Sequence, residues 1–201
     1  MDSASLRLFI AIELNDALRA ELKRAQKQVQ DECLRAAVAN TIRWVAPQNI
    51  HLTLNFLGNF PRAQIPALTT ALERAAKYIA PFVLTARGLG CFPNARRPNT
   101  LWVGVEGDIQ TAALLAQHIE KETHALGFAR EERGFAPHLT LARVKRDASN
   151  HERAKLGDLV KNFPTQMYGT LHPDAIHLIA SDLKPTGSIY TTLARAKFRK
   201  E

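Results

Sequence analysis

The tetrapeptide His-Leu-Thr-Leu occurs twice in this chain, at residues 51–54 and 138–141. Each copy follows a loop that contains a proline, Pro47 or Pro137, and each lies in a short run of residues typical of a strand. Each copy also lies in the middle of a half-chain made of strands and a long helix. The repeat therefore predicts two related halves whose tetrapeptides face each other across a pseudo-two-fold axis.

The alternation within each copy predicts which side chains share a face. Successive residues of a strand point to opposite faces of the sheet, so each histidine lies beside its threonine and opposite the leucines. The pattern predicts two faces for the first strand: His51, Thr53 and Asn55 on one, and Leu52, Leu54 and Phe56 on the other. His138 and Thr140 form the matching pair, so leucines supply a buried face and the His/Thr pairs share the opposite one.

Two imidazoles and two hydroxyls around one anion suit phosphodiester hydrolysis. The reaction needs a base for water and an acid for the departing alkoxide, and imidazole titrates near neutral pH. Threonine hydroxyls are able to donate to the non-bridging phosphate oxygens. A single His-x-Thr on a half-buried strand would be ordinary sheet surface. The duplication favours a paired catalytic site, with a non-catalytic anion site as the alternative.

The remaining pattern predicts an α+β fold with antiparallel sheets, because many strands are adjacent in sequence. We expect helices at 17–39, from Pro61 to near Pro81, from Asp108 to about Leu126, and at 150–162. We expect strands at 6–12, 42–45, 50–57 (ended by Gly58), 82–89, 100–105, 138–144, 165–171, 175–183 and 189–198. Pro185-Thr186-Gly187 predicts the turn between the last two strands.

Composition and charge limit the function classes. Of the 201 residues 46% are hydrophobic and 23% charged, which is typical of a globular protein. Lys and Arg number 27 against 19 Asp and Glu, and the net charge of +8 indicates an anionic partner such as nucleic acid or a phosphorylated small molecule. Cys33 and Cys91 have no CxxC spacing, so we expect a reducing, cytoplasmic location. We expect no signal peptide, membrane span, metal or cofactor, and a monomer.

At these residues the sequence resembles the 2H phosphoesterase superfamily, which is defined by two His-x-Thr-x motifs. Within it, the chain is similar to the bacterial and archaeal RNA 2′,3′-cyclic phosphodiesterase group, also named 2′-5′ RNA ligase. The likeness covers nearly the whole chain and includes these segments: Arg7-Leu8-Phe9-Ile10-Ala11, Arg43-Trp44-Val45, His51-Leu52-Thr53-Leu54, Phe56-Leu57-Gly58, Leu101-Trp102-Val103-Gly104, Pro137-His138-Leu139-Thr140-Leu141-Ala142-Arg143, Ser181-Asp182-Leu183, Gly187 and Tyr190.

This resemblance implies a single domain over residues 1–201, made of two intertwined lobes. Two antiparallel sheets would form a central cleft, with helices on the outside and one His-x-Thr from each lobe. It implies hydrolysis of a terminal RNA 2′,3′-cyclic phosphate to a 2′-phosphomonoester, with His51 as proton donor to the leaving 3′-oxygen and His138 as the base. Ligation of 2′-5′ ends would be the reverse reaction. Thr53 and Thr140 would hold the phosphate.

Three further residues are candidate substrate contacts. Arg143 matches an arginine of that group. It is five residues after His138, which places it on the leucine face of a regular strand, so it reaches the site only at a strand end or through a twist or a bulge. Phe9 and Tyr190 are candidates to stack a terminal base, although Phe9 also suits the core. Arg96 and Arg97 lie in a loop that is either close to an RNA backbone or simply solvated.

Two other functions fit the same residues. One is a basic module that binds RNA ends without turnover, with an affinity that falls with salt. The other is the same catalysis on a small cyclic nucleotide or an ADP-ribose cyclic phosphate. The two titratable groups weigh against binding alone, and the positive charge favours a polyanion.

Overall fold

The computed structural model describes residues 5–131, 134–184 and 187–199, so Pro185 and Thr186 of the predicted turn lie outside the described residues. The described part forms an α+β fold with nine strands and four α-helices. The strands are β1 Ser5–Glu13, β2 Ile42–Trp44, β3 His51–Pro61, β4 Leu84–Phe92, β5 Thr100–Gly107, β6 His138–Val144, β7 Met167–Leu171, β8 Ala175–Lys184 and β9 Gly187–Lys197. The helices are α1 Asp16–Arg35, α2 Ile65–Ala76, α3 Ile109–His124 and α4 Asn150–Asn162.

Side-chain caps begin two of the helices. The Asn15 side chain accepts a hydrogen bond of 2.8 Å from the backbone N–H of Leu18 at the start of α1. Ser149 and Glu152 form a reciprocal capping box at the start of α4. Each cap satisfies N–H groups that the first helical turn leaves without partners.

Several predicted boundaries are wrong. α2 covers only Ile65–Ala76 of the helix expected from Pro61 to near Pro81, because Arg62–Gln64 form a short 3₁₀ helix before it. β4 continues to Phe92, beyond the predicted residue 89.

Two further boundaries differ for backbone reasons. α1 ends at Arg35, short of the predicted residue 39, because Ala37 has a φ of +56° that an α-helix cannot contain. Gly58 does not end β3, which continues to Pro61. A register shift in the β1–β3 pairing falls beside Gly58, whose φ is +72°, and the strand passes through this irregularity.

The strand order is symmetric about the two strands that carry the repeated tetrapeptide. All pairs are antiparallel in the order β7-β4-β5-β6-β3-β1-β8-β9, and β2 adds to β6. β3 and β6 pair through Leu52 and Leu139 alone among the described residues. This one contact connects the strand group β7-β4-β5-β6 to the group β3-β1-β8-β9 in a single large sheet, whereas we expected two separate sheets.

The helices cover the leucine face of the sheet. Leu52 and Leu139 are each 1% exposed and belong to the main core cluster, to which α1, α2 and α3 contribute apolar side chains. A second cluster packs α1 and α4 against Leu101 and Ala142. The opposite face carries the half-buried histidines and threonines of both tetrapeptides. Across the described residues, no helix has the length and apolar character to cross a membrane.

A β-bulge falls at the last leucine of each tetrapeptide. In the β1–β3 pairing Ile10 pairs with Asn55 and the next residue, Ala11, pairs with Thr53, so Leu54 is the extra residue. In the β5–β6 pairing the same shift makes Leu141 the extra residue. An extra residue reverses which face the following side chains occupy.

The bulge in β3 corrects the predicted faces. Asn55 is 8% exposed and lies on the buried side, whereas Phe56 is 57% exposed and its ring lies 6.1 Å from that of Phe9. The sequence alternation predicts the reverse for both residues, because it assumes a strand without an insertion. The bulge in β6 moves Arg143 in the same way, onto the face of the histidines.

Gln26 of α1 holds the bulge in β6. Its buried Nε2 donates to the carbonyl of Leu141 at 2.9 Å and to that of Val45 at 2.7 Å. The Val45 N–H donates to the same Leu141 carbonyl at 2.9 Å. These bonds satisfy carbonyls that the irregular backbone leaves outside the regular ladder.

We predict that Gln26→Met lowers the free energy of unfolding by about 1–3 kcal/mol, because two carbonyls lose their side-chain donor while the volume changes little. Gln28→Met on the same helix is the matched control, since Gln28 is exposed and bonds only to the Gln166 side chain. Denaturant unfolding of both variants measures the effect. Equal stability of the two variants would contradict the role assigned to Gln26.

Candidate active site

The crossing of β3 and β6 brings the two His/Thr pairs together. Neighbours of a paired position in an antiparallel ladder lie across from each other, so Thr53 lies across from His138, and His51 across from Thr140. All four side chains share the face opposite the leucines, and all four are half-buried. We call these four side chains, His51, Thr53, His138 and Thr140, the quartet.

Both imidazoles are held by the same kind of hydrogen bond, from Nδ1 to the backbone carbonyl two residues earlier. The Nδ1 of His51 lies 2.8 Å from the carbonyl oxygen of Asn49, and the Nδ1 of His138 lies 2.7 Å from that of Ala136. A carbonyl only accepts, so each Nδ1 carries the hydrogen and donates it. The Nε2 atom of each ring is therefore the one available to take or give a proton.

Aromatic rings pack around His51. The ring of Phe9 stacks on His51 with centroids 4.7 Å apart, and the Tyr190 ring lies edge-on to Phe9 at 5.0 Å and to His51 at 5.5 Å. Phe9 is 3% exposed and forms a small apolar cluster with Ala11 and Ile179, separate from the main core. The buried ring of Phe9 thus packs against one side of the His51 ring, and Tyr190 is half-buried beside both rings.

Different aromatic rings pack around His138. The Phe92 ring meets His138 edge-on with centroids 4.9 Å apart, and that of Trp102 lies at 6.3 Å. Trp102 also covers Gly90, where a Cβ would approach its ring to 2.2 Å. The sequence predicts Trp102 only as a packing residue and gives no signal for Phe92. Both rings reach His138 from other strands, so their contacts depend on how the strands pair and are not visible in the sequence.

Burial and neighbouring charge set the protonation of the pair. Burial is the main cause that lowers the pKa of His51 from 6.5 to about 4. The positive charges of His138 and Arg143 add to this lowering, and the Asn49 carbonyl and Glu13 oppose it. Burial also lowers the pKa of His138, and Arg143 adds to that lowering, whereas the Ala136 carbonyl raises it. Arg143 therefore acts on both histidines, which agrees with its turn onto their face.

The cysteines pack in the second core cluster, and Arg96 faces α4. Both thiols are unbridged, and burial raises the pKa of Cys33 to about 11 and raises that of Cys91 as well, which disfavours reactive thiolates. Arg96 lines a surface cavity with Asp158 and Lys161 of α4.

Other histidines are placed as surface or structural groups, with one exception. His172 and His151 are exposed, and the Nδ1 of His124 donates to the Phe128 carbonyl at 3.0 Å. His177 pairs with Ala11 across β8 and β1, so it lies on the same face as Thr53. Within residues 5–131, 134–184 and 187–199, no cluster of three or more His, Cys, Asp or Glu side chains is arranged to hold a metal ion.

Known proteins are similar to this chain in sequence and in fold. Residues 12–102 match the model of the LigT-like phosphoesterase family. An RNA 2′,3′-cyclic phosphodiesterase of Methanothermobacter thermautotrophicus is 32% identical over 94% of this chain and 96% of its own length. One of Aquifex aeolicus is 30% identical over 94% of this chain and 95% of its own.

A solved structure from Thermus thermophilus superposes with a TM-score of 0.77 at 30% identity, over 97% of this chain and 99% of that one. The alignments with the two sequence relatives cover nearly all of both chains. The chain belongs to the RNA 2′,3′-cyclic phosphodiesterase family of LigT-like phosphoesterases.

Proposed function

We propose that this enzyme hydrolyses the 2′,3′-cyclic phosphate at an RNA end to a 2′-phosphomonoester. The observation that carries the proposal is the matched pair of imidazoles, each with Nδ1 bound to a backbone carbonyl and Nε2 left for proton transfer. The names of the relatives supply the substrate class. The net charge of +8 suits a polyanionic substrate.

The two histidines take opposite roles in this proposal. His138 Nε2 removes a proton from water as the water oxygen bonds to phosphorus, and His51 Nε2 gives a proton to the 3′-oxygen as its bond to phosphorus breaks. The quartet is symmetric, so this assignment follows the family resemblance. Thr53 and Thr140 donate hydrogen bonds to the non-bridging oxygens, where charge develops in the transition state.

Arg143 and the aromatic rings complete the proposed substrate contacts. Arg143 lies on the site face because of the bulge and places its positive charge near both histidines, where it is suited to neutralise the phosphate. Tyr190 and Phe9 form the aromatic wall on the His51 side, with Tyr190 the more exposed of the two. The exposed ring of Phe56 extends this wall toward solvent.

The proposal also includes the architecture and the reverse reaction. The 201 residues form one domain in which two lobes, joined at Leu52 and Leu139, act as the two walls of a cleft. One chain supplies both histidines, so a monomer suffices. The unbridged cysteines suit the cytoplasm. Ligation of 2′-5′ ends would use the same histidines with a 5′-hydroxyl in place of water, and neither direction needs a metal in this scheme.

We predict that His51→Ala and His138→Ala each lower the rate of ring opening about 10²- to 10⁴-fold, the usual value of one general acid or base. The measurement is product analysis of a defined RNA with a 2′,3′-cyclic end, in EDTA, which also reports whether the 2′- or the 3′-phosphate forms. His172→Ala, at an exposed position, is the control and keeps full activity.

Each competing function gives a different result in this assay. Tight binding of the cyclic end without product would support the binding module instead of the enzyme. Faster opening of a mononucleotide cyclic phosphate than of the RNA end would support a small cyclic nucleotide as the substrate. Full activity in either histidine variant would overturn the proposed mechanism.

We predict that Arg143→Gln raises KM about 10- to 100-fold and lowers kcat less, because a charged hydrogen bond to the phosphate is lost in both ground and transition states. Arg146→Gln is the matched control, since Arg146 is an exposed arginine three positions further along the chain. Steady-state kinetics on the same RNA measure both variants. An unchanged KM for Arg143→Gln would remove this residue from the substrate contacts.

We predict a bell-shaped pH profile of kcat/KM with its maximum below pH 6.5. The neutral fraction of His138 rises with pH through its lowered pKa, and the protonated fraction of His51 falls with pH above its pKa of about 4. The product of the two fractions is largest between these pKa values. A profile that is flat from pH 5 to 8 would contradict the pairing of one neutral and one protonated histidine.

A further inference from the structure

The strand neighbours of the two catalytic histidines differ, although the tetrapeptides match. Glu13 of β1 pairs with His51, and Gly104 of β5 pairs with His138. β1 and β5 occupy equivalent places in the symmetric strand order. Directly opposed residues of an antiparallel pair point to the same face, so the Glu13 side chain shares the site face with His51.

Glu13 is held in place from two sides. Its Oε1 accepts a hydrogen bond of 3.0 Å from the Thr192 hydroxyl of β9, and its Oε2 lies 3.8 Å from the Arg19 guanidinium of α1. These contacts restrict the rotamers of a side chain that is already half-buried. The carboxylate therefore keeps a fixed place beside the first tetrapeptide.

The backbone leaves no room for an acid at the equivalent position. A Cβ on Gly104 would lie 2.8 Å from the backbone carbonyl oxygen of Arg87, closer than real Cβ contacts. A side chain at this position would force the β4–β5 pairing to shift. The asymmetry between Glu13 and Gly104 is thus part of the scaffold.

The charges around His51 come from several elements. His138 and Arg143 of β6 face it with positive charge and Glu13 of β1 with negative charge, and Tyr190 of β9 presents its ring edge. Glu13 raises the pKa of His51 against the effect of burial, whereas no carboxylate is among the groups that shift the pKa of His138.

Other charged groups also face Glu13. Arg19 of α1 approaches it from the start of the helix. His177 of β8 is near enough for the Glu13 charge to raise its pKa, against a larger lowering by burial. Glu13 therefore acts on a histidine on each side, of which His51 is the one in the quartet.

We propose that Glu13 is a positioning residue that stabilises the protonated form of His51, the form that donates a proton to the leaving oxygen in the proposed mechanism. This inference rests on the proposed function. In the reaction the proton on His51 Nε2 passes to the 3′-oxygen as the P–O3′ bond breaks, and His138 receives the proton of the attacking water. Glu13 takes no part in either proton transfer.

The test compares Glu13→Gln with Glu13→Asp and with Asp16→Asn. Glutamine keeps an acceptor for Thr192 and removes the charge, aspartate restores the charge, and Asp16→Asn removes the other carboxylate that pairs with Arg19, at 3.2 Å. We expect Glu13→Gln to move the acidic limb of the kcat/KM profile, which follows the lower of the two pKa values, that of His51, to lower pH and to slow ring opening at pH 7. We expect Glu13→Asp to restore most of the profile and Asp16→Asn to leave it unchanged.

A purely structural role would lower activity at all pH values without moving the limb. An unmoved limb in Glu13→Gln, or an equal movement in Asp16→Asn, overturns the inference. Thermal unfolding of each variant identifies a loss of fold. If Glu13→Gln does not fold, the kcat/KM pH profile of Glu13→Asp, which keeps the charge, decides the outcome.

NMR titration of the His51 imidazole gives a readout that does not depend on turnover. The pKa of His51 is expected to fall in Glu13→Gln relative to the unsubstituted protein, and an unchanged value overturns the inference. Failure of the unsubstituted protein to open cyclic ends would instead overturn the proposed function, and the titration would still decide whether Glu13 acts on His51.

Discussion

The single strand contact between Leu52 and Leu139 is the constraint on which the site depends. It is made by apolar side chains that are 1% exposed and packed against the helices, so the hydrophobic core fixes the register at this point. A slip of either strand by one residue would move the histidine and threonine of that strand to the buried face. The free energy of core packing therefore also aligns the imidazoles, and no separate interaction between the polar groups has to do so.

The two bulges extend the site beyond the tetrapeptides. A regular strand would bury Phe56 and Arg143 on the helix side, where a guanidinium without a partner is costly. The extra residue at Leu54 and at Leu141 reverses the alternation and exposes both side chains beside the quartet. Since the bulges occupy matching places in the repeat, the two halves share a backbone distortion as well as a sequence, and they use it for different chemistry.

The sequence predicts local elements better than it predicts contacts between them. β6 and α4 have the bounds expected for them, because β6 is a short apolar run with clear ends and Ser149 with Glu152 caps α4. The His/Thr pairing follows from the repeat itself. The predicted faces of Asn55 and Phe56 are wrong because a bulge inserts one residue without any glycine or proline to mark it. Glu13 and Phe92 escape prediction because strand register, a non-local property, brings them to the histidines.

A symmetric pair of histidines presents a physical difficulty, since the reaction needs one of them protonated and the other neutral. Identical motifs whose Nδ1 atoms both bind a backbone carbonyl cannot by themselves distinguish the two rings. The distinction has to come from outside the repeat. The flanking strands differ, because a carboxylate lies opposite one histidine and a glycine opposite the other. In the proposed mechanism, duplication therefore supplies the scaffold, and the neighbouring strands supply a difference between the two histidines.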